Sequence, residues 1–187
     1  VQLDGQDVLA DAHVGRLTAR SLAELEGIVA KILAYERDPE VFADPGWFGR
    51  AVLVGDPTSS GTSTIYVNQW LKEQLLDLDY TQIDTIWSGP FASQIFQKLN
   101  QGASVYTYRG YLGCSGFSPG YIDNLTNGSE LPFAVMVTCA SGSFASDTHG
   151  HSEAMLRNPA GGAIGAVGTA TIGTHTRYNN CYFHGAW

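Results

Sequence analysis

A doubly wound α/β fold, with a mainly parallel sheet and helices on both faces, is what the order of segments along this chain predicts. Short apolar runs bounded by turn residues alternate with segments of helical period, and that alternation specifies parallel strands joined by crossover helices. The 187 residues suit one ordinary domain. A content of 44% hydrophobic and 15% charged residues places the chain among proteins that bury a core. Residues 1–187 are therefore read as a single domain.

The first element is a helix over Ser21–Arg37. Ser21 stands three residues before Glu24 as a capping box, and Leu22, Leu25, Ile28, Val29, Ile32 and Leu33 recur at helical spacing. "AVLVGDP" reads as a buried strand ending in turn residues, and Thr64–Leu78 as the helix that follows it. The unit recurs as "IDTIW" with a helix over Phe91–Leu99, and as "ASVYTY" with a Gly-rich loop and a short helix near Tyr121–Leu125. It closes with "FAVMVT" before a helix at Ser152–Arg157, and "GGAIGAVGTAT" before a last helical stretch.

Ten basic residues against 18 acidic ones give a formal charge of -8, which argues against a surface that tracks nucleic-acid phosphates. No apolar run reaches the roughly 18 residues that a membrane-spanning helix needs, and the start lacks the basic and apolar regions of a secretory leader. Cys114, Cys139 and Cys181 have no metal-ligand spacing, and their odd number leaves at least one thiol without an internal partner.

Open α/β sheets bind ligands beyond the carboxyl ends of their strands. Those ends carry Asp56, Arg109, Cys139 and the Thr171–Thr176 loop. Cys139 has two readings from the residues alone: a packing thiol, since cysteine behaves as a small hydrophobe, or a nucleophile presented at a strand end. The "GGAIGAVG" run lacks the lysine of a phosphate-binding loop and the dinucleotide spacing, and reads as a strand packed closely on its neighbours. Asp4, Asp7 and Asp11 are carboxylates of the kind calcium prefers, but their spacing is not that of an EF-hand loop, and a solvated acidic turn explains them.

"AHVGRLTARSLAELEGIVAKILAYERDP", "VYTYRGYLG", "LPFAVMVTCASGSF" and "HSEAMLRNPAGGAIGAVGTATI", in that order, resemble the catalytic domain of gingipain-like cysteine peptidases, relatives of caspases and legumain. The resemblance covers nearly the whole chain. It implies a caspase-like sheet, a domain incomplete at both ends and other segments of a larger parent protein. Also implied are a peptide or protein substrate and a secreted or cell-surface location. Calcium binding occurs among such proteins, but the resemblance assigns no ligands here, and no cofactor is expected.

Cys139, Gly142 and Phe144 match the family's Cys-x-x-Gly-x-Phe setting, which implies that Cys139 is the nucleophile of an endopeptidase working through a thioester. The N–H groups of Cys139 and Gly110 are then the expected oxyanion hole. "YTYRGY" departs from the family's Tyr-Thr-x-His-Gly motif by placing Arg109 where the histidine stands. Arginine favours a thiolate by its charge but cannot serve as a general base. Two outcomes follow: another imidazole performs the proton transfers, or the chain is a catalytically inactive binding or assembly module.

His175, on the loop after the strand expected beside that of Cys139, is the first candidate for the missing imidazole. His149 and His151 rank below it, as residues at the exposed start of the next helix. Asp56, in the loop "DPTSSGTS", is a candidate for selecting a basic substrate side chain by a charge-assisted hydrogen bond, with turn initiation before Pro57 as the structural alternative.

Overall fold

The computed structural model describes residues 14–37, 45–145 and 149–187. Asp4, Asp7 and Asp11 lie outside the described residues. Five parallel strands, β1 (Arg50–Gly55), β2 (Gln82–Ile86), β3 (Val105–Arg109), β4 (Phe133–Val137) and β5 (Gly165–Gly168), form one sheet in the order β2-β1-β3-β4-β5. The helices are α1 (Leu22–Arg37), α2 (Ser63–Asp77), α3 (Phe91–Leu99), α4 (Pro119–Ile122), α5 (His151–Arg157) and α6 (Thr176–Gly185).

Strand periodicity sorts the side chains onto two faces. Val52, Val54, Tyr106, Tyr108, Ala134 and Met136 pack with Ile95, Leu99, Ile122 and Met155 of α3, α4 and α5. Ala51, Leu53, Val105, Val135 and Val137 pack with Val67, Leu71 and Leu75 of α2 and Phe183 of α6. Arg109 continues the second set along β3, two residues beyond Thr107, so the pleat sends its side chain to the α6 side. The doubly wound reading of the sequence holds.

Three details differ from the sequence reading. β5 is only four residues long, because the glycines before it are spent on the turn after α5, where Gly162 has φ of 85°. The short helix begins at Pro119, whose fixed φ suits a first helical position. On α1, Leu22, Leu25, Val29 and Leu33 face outward and only Ile28 is buried. That helix docks through polar ties instead: Lys31 Nζ donates to the carbonyls of Gly161 (2.8 Å), Asn158 (3.2 Å) and Met155 (3.4 Å) at the end of α5.

The β4 to α5 loop presses against β5 with no space for side chains. A Cβ at Gly142 would lie 2.7 Å from the Gly168 carbonyl oxygen, backbone against backbone. The contact carries the Gly142 N–H to the Thr169 carbonyl (3.0 Å) and Thr169 N–H to Ser141 Oγ (3.0 Å). We expect Gly142→Ala to destabilise the fold by about 1–3 kcal/mol in urea titration, the usual range for overpacking.

Candidate active site

β4 ends at Val137, and the chain turns sharply over Thr138, Cys139 and Ala140. Ala140 has φ of 59°, a left-handed conformation that costs a non-glycine residue about 1–3 kcal/mol. The strained turn is fixed from several sides. Ser141 Oγ donates to the carbonyl of Met136 and lies 2.9 Å from that of Thr138, while Ala140 N–H donates to the Thr171 carbonyl at 3.0 Å. Cys139 is thereby presented half-buried at the carboxyl edge of the sheet, rather than packed into either core.

The nearest polar partner of the sulfur is Thr174, with its Oγ1 at 3.5 Å and its carbonyl oxygen at 4.0 Å. Asn179 of α6 fixes the sense of that contact. Its Nδ2 donates to Thr174 Oγ1 at 3.1 Å, leaving the threonine proton free to point at the sulfur. This hydrogen bond lowers the Cys139 pKa from the usual thiol value, and the Gly173 and Thr174 backbone act in the same sense against the opposing effect of burial.

Arg109 is fully buried and does not act on the sulfur through a hydrogen bond. Its Nε and Nη2 converge on Asn180 Oδ1 at 3.1 and 2.6 Å, Nη2 reaches the Thr176 carbonyl at 3.4 Å, and Nη1 donates to the Val137 carbonyl. Among the described residues no carboxylate pairs with it. Burial pulls its pKa down to about 10, partly offset by neighbours that include Cys139, so the guanidinium remains a cation at neutral pH. It clamps α6 onto the ends of β3 and β4.

His175 lies beside Thr174 but is employed elsewhere. It is the N-cap of α6, and its exposed ring accepts the Arg177 N–H at Nδ1 (3.2 Å). That bond occupies the lone pair a general base needs, and leaves the neutral ring's proton on Nε2. Neither His149 nor His151 is a hydrogen-bond partner of the sulfur. His149 Nε2 pairs with Asp123 Oδ2 at 3.2 Å, and burial lowers the His151 pKa while the Phe117 backbone opposes it. Both are partly buried, against the exposed setting expected of them.

Asp56 is likewise engaged. Its carboxylate accepts Ser115 Oγ and the Thr58 N–H (2.9 Å), and Ser115 Oγ is 2.7 Å from Tyr108 Oη. Burial alone would raise the Asp56 pKa, but the bonds from Ser115 and Thr58 outweigh it and hold it low. The pair joins the loops after β1 and β3 at the point where strand order reverses. Gly110 fits between them only without a side chain, since a Cβ would meet Tyr108 Oη at 2.4 Å; its carbonyl accepts Thr138 Oγ1 at 3.2 Å.

The structure thus brings Cys139, Arg109, Gly110 and His175 to one edge of the sheet. It also recruits Thr174, Asn179 and Asn180, which carried no individual signal in the sequence. Among the described residues no group of three or more His, Cys, Asp or Glu side chains is placed to hold a metal. Replacing Thr174 by Val removes the donor to the sulfur. The pH midpoint for alkylation of Cys139 by iodoacetamide is then expected to move upward, and an unchanged midpoint would count against the hydrogen bond.

The whole chain, residues 1–187, matches the family model for Peptidase family C25. Gingipain R2 of Porphyromonas gingivalis is 26% identical over 167 residues, covering 83% of this chain and 22% of the relative. Gingipain R1 of the same organism shows the same identity over 83% of this chain and 17% of its own length. The chain therefore spans only about a fifth of these relatives. The crystal structure of the Arg-specific cysteine proteinase gingipain R superposes with a TM-score of 0.83 at 23% identity, over 95% of this chain and 45% of that one. A complex of Porphyromonas gingivalis RgpB pro- and mature domains gives a TM-score of 0.83 at 23% identity, over 96% of this chain and 46% of that one. The fold is that of gingipain, and by the match along its full length the chain belongs to peptidase family C25.

Proposed function

We propose that this chain is part of the catalytic domain of a secreted or cell-surface cysteine endopeptidase, with Cys139 as its nucleophile. The observation that carries the reading is the strained turn after β4, which presents a thiol of lowered pKa beside the Thr174 hydroxyl. The thiolate attacks a peptide carbonyl carbon, forming a tetrahedral oxyanion that is assigned to the N–H groups of Gly110 and Cys139. Collapse of that intermediate breaks the C–N bond, leaving a thioester on Cys139 and an amine that must take up a proton. Water then cleaves the thioester, releasing the acid and restoring the thiol.

Arg109 has no part in these proton transfers. A buried guanidinium bonded to Asn180, Thr176 and Val137 contributes charge and position only. His175 is assigned the proton transfers, after release of the Arg177 N–H. A cap at an exposed helix end is worth about 1 kcal/mol, so its release is a small cost for a substrate that orders the site. Asp56 fixes the loops after β1 and β3 and is not assigned to substrate selection. The larger size of the relatives supports a longer parent protein whose other segments complete the domain.

A second reading, a non-catalytic peptidase-like binding or assembly module, is favoured by one specific observation: in this structure Nδ1 of His175 is spent on the helix cap, and Arg109 is no substitute. Peptide turnover together with labelling by a peptidyl acyloxymethyl ketone separates the two. The peptidase reading expects adduct on Cys139, and a loss in kcat of about 10²–10⁴-fold on His175→Ala, the range of a general acid or base, with alkylation by iodoacetamide retained. Undiminished turnover in that variant removes His175 from the mechanism. Absence of both turnover and ketone adduct, with iodoacetamide still reacting at Cys139, establishes the module reading.

A further inference from the structure

A groove opens beside Cys139. It lies between the ends of β4 and β5 and the outer side of α6, with a volume of about 550 Å³, and Thr174 forms part of its wall while touching the Cys139 sulfur. Val137, two residues before the thiol, lines it as well. We propose that this groove receives a large apolar or aromatic side chain of the substrate residue acylated on Cys139, and turns away a basic one. The proposal rests on Cys139 being the nucleophile and extends it to the class of substrate.

Shape comes first. Tyr178 and Tyr182 stand one turn apart on α6, both are exposed, and they form one wall. Gly168 and Gly173 leave gaps on the opposite side, which Thr169, Thr174 and His175 complete. Gly168 is held to glycine, because a Cβ there would meet Ser152 Oγ at 2.3 Å and Gly142 N at 2.7 Å. An opening between two tyrosine rings and a side built of glycine backbone and short threonine side chains suits an aromatic or long apolar side chain by offset stacking and area burial.

Charge then decides against lysine and arginine. No Asp or Glu lines the groove, and α6, TRYNNCYFHG, contains none. Asp56 is committed to Ser115 and Thr58. The fixed charges on α6's two sides are cationic: Arg109 is clamped beneath it, and the Arg177 guanidinium lies 4.8 Å from the centre of the Tyr178 ring. A basic side chain would lose hydration here without gaining a counter-charge. Nor is an acidic side chain offered a free guanidinium. Arg109 is bonded to Asn180, Thr176 and Val137, and Arg177 is bonded to Tyr178 Oη at 3.0 Å.

The test reads occupancy without requiring turnover. Alkylation of Cys139 by iodoacetamide is followed by mass spectrometry in the presence of N-acetyl dipeptide amides ending in Phe, Leu, Arg or Glu. The Phe and Leu peptides are expected to protect Cys139 at concentrations about tenfold or more below those the Arg and Glu peptides need, the scale of discrimination an apolar pocket achieves. Tyr182→Asp places a carboxylate in the wall and is expected to reverse the order in favour of Arg, a swap that misfolding cannot imitate. Equal protection by all four, preference of the unaltered protein for Arg or Glu, or no protection by any overturns the proposal. Failure of the peptidase reading shows separately, as protection by the Phe peptide without adduct from a Phe-peptidyl ketone.

Discussion

A single buried cation organises the carboxyl edge of this sheet. The Arg109 guanidinium sits at zero exposure between β3, β4 and α6, and every acceptor it has is neutral: the Asn180 side-chain oxygen and the carbonyls of Thr176 and Val137. Burying a charge is costly unless it is well hydrogen-bonded, and bonds from a charged donor each contribute about 1.5–3 kcal/mol. The arrangement holds because the planar fork meets acceptors from two elements at once. What it secures is the first turn of α6, and with it the loop that reaches the thiol.

From that clamp the rest of the site follows by short steps. Asn180 fixes α6; its neighbour Asn179 orients Thr174; Thr174 points a proton at Cys139. The same helix start uses His175 as its cap and so withholds the ring's lone pair. Arg109 at the end of β3 therefore does more than carry a charge. It positions a helix and moves no protons, while the Thr174 hydrogen bond favours the reactive form of the thiol.

Much of the fold was legible in the sequence because strand and helix periods are local. β1 to β4 and their crossover helices fall within a few residues of the runs that announced them, and Cys139 lies at the expected strand end. The outward face of α1 was not legible: periodicity marks an apolar stripe but not which side meets a neighbour, and Lys31 secures the docking instead. The bond between Asp56 and Ser115 was not legible, because the two are 59 residues apart and are joined only by the return of the chain after β3. Asn180 is 71 residues from Arg109, a pairing that no window of sequence contains.

Hydrogen exchange on the Arg109→Met protein addresses the clamp most directly. Methionine fills similar volume but offers no donors to Asn180, Thr176 or Val137. If the guanidinium holds the helix, the amides of residues 176–185 exchange faster in the variant, while those of β1 and β3 keep their protection. Unchanged exchange across 176–185 in a folded Arg109→Met protein would contradict the account, and would mean that apolar contacts such as those of Phe183 hold α6 by themselves.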